Sequence, residues 1–266
     1  MNVMFGHSVR AVAFLLAYSL VHFSSEGAQS IGTAPLKVKL GDPMVDGSFL
    51  KTYKNAWKVV YAFPGKEPFL VGTWSDELSA VELNGRLLMK RTQIANYVKY
   101  DIITTNINVF DPRSMTPVYT EFSRNDPPEW VHRDFDGATV KYSRGKSADK
   151  SNAETGQIKM DVPVFDYHGG LYGLLLSAFP LKDGFTATIP TLSEDQDLFE
   201  WTTFTVRKPE PVEAGPGKQV MAWPVEIDEA NKSHLVFWIS KEAPYIIKLV
   251  NIIPSSRWVT VTMSII

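Results

Sequence analysis

A strand-length run closed by turn residues recurs along nearly the whole chain, and this rhythm restricts the fold more than any other feature. "ELSAVEL" and "RLLMKRTQI" flank Asn84-Gly85. Both turn residues accept positive φ, which a tight two-residue hairpin requires. "EWVHRDF" and "ATVKYSR" flank Asp136-Gly137 in the same way. "WKVVYAF" stops at Pro64-Gly65, "DIITTNINVF" at Asp111-Pro112 and "TPVYTEFSR" at "NDPP". "FEWTTFTVR", "KQVMAWPVEI", "HLVFWIS" and "YIIKLV" continue the series. In the last segment, "RWVTVTMSII", Val259, Val261, Met263 and Ile265 alternate with Thr260, Thr262 and Ser264. Period two sets one face on a core and the other in water. Strands that follow one another through short turns predict an antiparallel meander, not parallel crossover units.

One stretch breaks the rhythm: "DVPVFDYHGGLYGLLLSAFPLKDGF", residues 161–185. From Gly169 to Phe179 its apolar residues point in all directions on a helical wheel. A helix apolar all round is buried or covers something apolar. Pro180 stops it. The expected fold is therefore all-β with one or two short helices: a curved antiparallel sheet, a half-barrel or open barrel, wrapping a short apolar helix.

The N-terminus is set aside from this fold. Arg10 precedes "AVAFLLAYSLVHF", an apolar run of signal-peptide length, and "SSEGAQS" offers small residues for cleavage. The run is shorter than the ~20 residues a bilayer span needs. The expected organisation is a signal peptide over residues 1–28, an extended lead-in over 29–56 and a single β domain over 57–266. The loops at 143–156 and 208–218 read as hairpin loops within that domain. Export implies a periplasmic or secreted product. The chain has no cysteine, so neither a lipid-bearing cysteine nor a disulfide is available. Apolar burial alone must hold the core. A net charge of −2 argues against nucleic acid as a partner, because phosphate binding needs a basic face.

Residues able to carry chemistry are few. His132, His168 and His234 show no metal-ligand spacing with one another, so no metal and no cofactor is expected. Asp166 and His168 could form an acid/base pair. That pair needs a nucleophile, and no G-x-S-x-G elbow exists anywhere. Ser177 lies inside the apolar run. The simpler role for Asp166 or His168 is to cap the free N–H groups at the start of the helix. "RDFDGATV" lacks the third acidic position and the distal Glu of a calcium loop and reads as a hairpin turn.

"VFDYHGGLYGLLLSAFPLKDGF", the tail through "HLVFWISKEAPYIIKLV", and "NVFDPRSMTPVYTEFSR" together resemble an uncharacterised bacterial exported domain, over roughly residues 57–250. That domain in turn resembles the half-barrel of the periplasmic lipoprotein carriers and outer-membrane lipoprotein receptors. The resemblance implies a strongly curved sheet around a short helix and an apolar cavity for acyl chains. It implies a non-enzymatic protein that binds a lipid or other amphiphile, with Leu171, Tyr172, Leu175, Phe179 and Trp201 as the groove residues. Two alternatives stand beside it. One is a structural or protein-partner-binding module with a filled core, meeting an envelope protein. The other is an envelope hydrolase using Asp166 and His168.

Overall fold

The computed structural model describes residues 34–147, 149–166, 171, 173–193, 198–229, 233–253 and 259–266. The segment expected to be a signal peptide, residues 1–28, lies outside them.

The strands are β1 (Leu36–Lys37), β2 (Tyr53–Ala62), β3 (Phe69–Leu83), β4 (Arg86–Tyr97), β5 (Ile102–Asp111), β6 (Thr116–Arg124), β7 (Glu129–Asp136) and β8 (Thr139–Gly145). They continue as β9 (Glu154–Lys159), β10 (Thr186–Ser193), β11 (Leu198–Val206), β12 (Glu210–Glu213), β13 (Gln219–Glu229), β14 (Ser233–Ile239), β15 (Ile246–Ile253) and β16 (Val259–Ile265). Among the described residues one α-helix, α1 (Leu174–Ser177), interrupts them. All the strands join one open sheet in the order β1-β10-β11-β13-β14-β15-β16-β2-β3-β4-β5-β6-β7-β8-β9, with β12 paired to β13. Neighbours pair antiparallel except β1 with β10.

The turn chemistry works as the sequence demands. Asn84 and Gly85 adopt φ of 53° and 74° between β3 and β4, so Leu83 stands opposite Arg86. β1, β9, β10 and β12 come from stretches that read as lead-in, loop or helix flank. Each is short or lies where Pro and Gly blur the alternation.

Alternation sorts the sheet into two faces. On β2 and β10–β16 the inner face is apolar: Trp57, Val59, Ala187, Ile189, Phe204, Val225, Ile227, Leu235, Phe237, Leu249 and Met263 share one core. Helix residues Leu174–Leu176 and the flanking Leu171, Ala178 and Phe179 sit inside that core. Val38, Val45 and Leu50 of the lead-in also enter it. Hydrogen bonds fasten this segment: Val38 N–H donates to Thr188 C=O, and Asp46 N–H to Ala178 C=O.

A second, smaller core explains the curvature. Phe135, Val140 and Ile158 of β7–β9 pack with Val164, Leu192 and Phe199. Leu192 and Phe199 are register partners on the face of β10–β11 that points away from the helix. The β7–β9 end of the sheet therefore overlaps the back of β10–β11 without pairing to it. The segment after β9 runs between the two ends and makes a parallel bridge at Phe165–Thr191. The sheet is rolled until its two ends overlap and is left open.

Candidate functional site

The helix packs directly on the inner face of the sheet. Leu171, Leu174 and Leu175 have no accessible surface, and Phe179 almost none. A side chain with no accessible surface borders no void large enough for a water molecule. Phe179 meets Phe204 edge-on at 4.9 Å and Phe165 at 6.2 Å. Trp201 does not join this group. Thr202 and Phe204 turn toward the helix, so the odd-numbered Trp201 turns to the back of β11. There it meets Phe199 at 5.6 Å, and Lys37 Nζ sits 5.2 Å from its ring centre. Tyr172 and His168 lie outside the described residues.

Asp166 is not a helix cap. The N-cap of α1 is Gly173, with no side-chain cap hydrogen bond. Asp166 is buried and instead accepts from Asn108 Nδ2 at 2.5 Å, tying the segment after β9 to β5. The sequence suggested a cap because Asp166 precedes an apolar run, but α1 starts eight residues later. Ser177 is buried, and its hydroxyl donates to Leu174 C=O at 2.7 Å.

The inner face of β3–β7 has a different character. Register places Tyr53, Leu78, Arg91, Asn108, Thr120 and Arg133 in one row across six strands, and most of these are buried. Asp76 and Gln93 head the next row. Arg91 Nε and Nη2 donate to the two oxygens of Asp76 at 2.8 and 2.7 Å. Tyr53 adds a hydroxyl bond to Asp76 Oδ2 at 2.9 Å. Burial opposes the Arg91 charge, but the Asp76 carboxylate beside it raises the guanidinium above its ordinary range. Each charge is thus matched inside the protein, as a buried ion requires. This row lies in the interior of the rolled sheet.

An open groove lies on the other face of the same strands. A groove of about 780 Å³ runs over β5–β8. Thr105, Ile107, Glu121, Ser123, Trp130, His132 and Ser143 form its floor, all register partners on one face. The β8–β9 loop walls it through Ser147, Lys150 and Ala153. Lys150 Nζ stands 5.0 Å from the Trp130 ring centre. His132 reaches Glu121 through Nδ1 at 3.3 Å and Asp134 through Nε2 at 3.1 Å. It also stacks on Tyr119 at 5.6 Å. Burial, then the Glu121 charge, raises the Tyr119 hydroxyl above its usual range. The floor combines hydroxyls, an aromatic stack and a carboxylate–imidazole pair, chemistry suited to holding a polar ligand by many modest contacts. Among the described residues no three His, Asp or Glu gather as metal ligands.

The sequence did not single out this groove. His132 stood there as an isolated histidine in a strand, and only pairing through the turn after β6 sets it against Glu121.

No curated protein and no solved structure matches the chain. A family model does, described as a protein of unknown function, over residues 92–255. The match runs from within β4 to the end of β15 and so takes in the β5–β7 half of the polar row, the groove, the helix and most of the apolar core. The chain belongs to the DUF3108 family.

Proposed function

We propose that this protein is a non-enzymatic, exported binding module. Its filled core is a scaffold, and its groove over β5–β8 receives an envelope partner. The observation that carries this reading is the contrast between the two candidate spaces. Leu171, Leu174 and Leu175 have no accessible surface, whereas about 780 Å³ stands open beside Trp130 and His132. The groove is floored by strands, and sites on rigid elements hold their geometry better than loops. Site-specific photo-crosslinking in the native host tests it. A photoreactive residue at Ser123 or Ser143 is expected to give a discrete adduct, and one at Thr262 on a distant strand none. Absence of an adduct at both groove positions overturns the assignment.

A second reading keeps the space between helix and sheet as an amphiphile site, in the manner of the lipoprotein carriers. Its support is the polarity split of the interior, apolar on β10–β16 and polar on β3–β7, which matches a ligand with a tail and a headgroup. Here the helix is a plug that a ligand displaces. Its four-residue length and lack of a side-chain cap favour displacement, since so short a helix has little stability of its own. Native mass spectrometry of gently purified protein decides this reading. A co-purified amphiphile supports it, and an empty protein counts against it.

A further inference from the structure

Among the described residues ten large apolar side chains stand exposed, and five of them, Leu70, Ile94, Val98, Tyr100 and Ile103, belong to one end of the sheet. β2 ends at Ala62 and β3 begins at Phe69, while β4 ends at Tyr97 and β5 begins at Ile102. Thr73 pairs with Asn96, so the β2–β3 and β4–β5 tips project at the same end. Such an accumulation is not the scattered single exposure of an ordinary surface.

The two tips are packed into one unit. The 3-10 turn Val98–Tyr100 follows β4, and Lys99 Nζ stands 3.9 Å from the Phe69 ring centre. Phe69 stacks on Phe63 at 6.0 Å with the planes 6° apart. Tyr97 and Tyr100 lie close enough to Tyr61 to add to the effect of burial on its hydroxyl. Beyond this aromatic base Val98 is 71% exposed, and Leu70, on β3, is 60% exposed.

We infer that this end docks on a lipid surface, with Val98 and Leu70 entering the acyl boundary and the tyrosines lying at headgroup depth. Three features choose lipid over protein. The patch consists of projecting tips, while a stable protein interface needs about 800 Å² per partner and 20–30 residues a side. Tyrosine is enriched at membrane–water boundaries, and phenylalanine and leucine are among the side chains that interfacial apolar faces bury there. Lys66 and Lys99 are offset by Glu67 and Asp101 at the same tips, so attraction rests on apolar insertion and not on anionic lipid. The inference is independent of what fills the groove over β5–β8.

Flotation with phosphatidylcholine vesicles, with and without added phosphatidylglycerol, tests it on protein recovered from its host. The protein is expected to float with both, and to stay bound when salt is raised. The Leu70→Ser/Val98→Ser/Ile103→Ser variant is expected to lose at least about ten-fold in partitioning while keeping its melting temperature. If that variant does not fold, Val98→Asp alone carries the same expectation at a fully projecting site. In a Val98→Trp variant the added indole emission is expected to shift blue on vesicles. Failure of the wild type to float, release by salt, or equal flotation of the variants overturns the inference. So does a variant that changes only the oligomeric state, since the patch would then be a protein interface.

Discussion

Arg91 grips Asp76 through two parallel hydrogen bonds, 2.8 and 2.7 Å long, with both side chains wholly removed from solvent. Gly85 and Asn84 set the hairpin that makes this pair, and Tyr53 completes it from β2. Removing one partner of such a buried pair costs about 3–5 kcal/mol. Asp76→Asn and Arg91→Met are each expected to lower unfolding stability by that amount in urea titration. The double variant Asp76→Leu/Arg91→Met is expected to recover much of the loss, since a packed apolar pair removes both buried charges.

Alkaline pH should weaken the fold through tyrosines. Burial raises Tyr53 and Tyr97 above the ordinary value of 10.0, and burial with the neighbouring Tyr97 and Tyr100 raises Tyr61. These groups stay protonated in the folded state while their unfolded counterparts ionise near pH 10. The contribution is therefore complete below pH 10 and is lost as pH climbs beyond it. Stability measured in steps from pH 8 to 11.5 is expected to be flat and then to fall, and tyrosinate absorbance at 295 nm should lag until unfolding. Tyr53→Phe should flatten part of that fall.

Gly173 holds the entry to α1 at φ 73°, and a Cβ there would stand 2.7 Å from the Phe237 ring. Gly173→Ala combines backbone strain of about 1–2 kcal/mol with a clash in a filled core. We expect a drop in melting temperature larger than that of Gly65→Ala, where φ is 71° but the space is open. Equal drops would mean that the helix is not nested as described.

Asp166 and Asn108 meet across 58 residues of chain. Asn108→Leu removes this buried hydrogen bond to the Asp166 carboxylate and should cost about 1–3 kcal/mol. Hydrogen exchange is expected to rise first in residues 160–166, the segment this bond ties down. If Asp166 served the helix instead, exchange would rise first at Leu174–Ser177.

What the sequence determined by itself was local. Asn84-Gly85 needs only its own φ preferences to form a turn. Once Leu83 stands opposite Arg86, register puts Leu78 opposite Arg91 and Asp76 opposite Gln93, so even the Arg91–Asp76 pair was legible in principle. The all-β class and the burial of Leu171 and Leu174–Phe179 follow from the same short-range patterns. The tertiary structure alone decided which faces meet. Alternation says that Trp201 and Phe204 oppose one another, but not which of them faces the helix. That depended on how far the sheet rolls, because overlap of β7–β9 on the back of β10–β11 gave Phe199 and Leu192 a second core of their own. The same roll buried Asp166 against Asn108 and left Glu121 and His132 on an open face. Curvature accumulates over sixteen strands, and no window of sequence the length of one hairpin contains it.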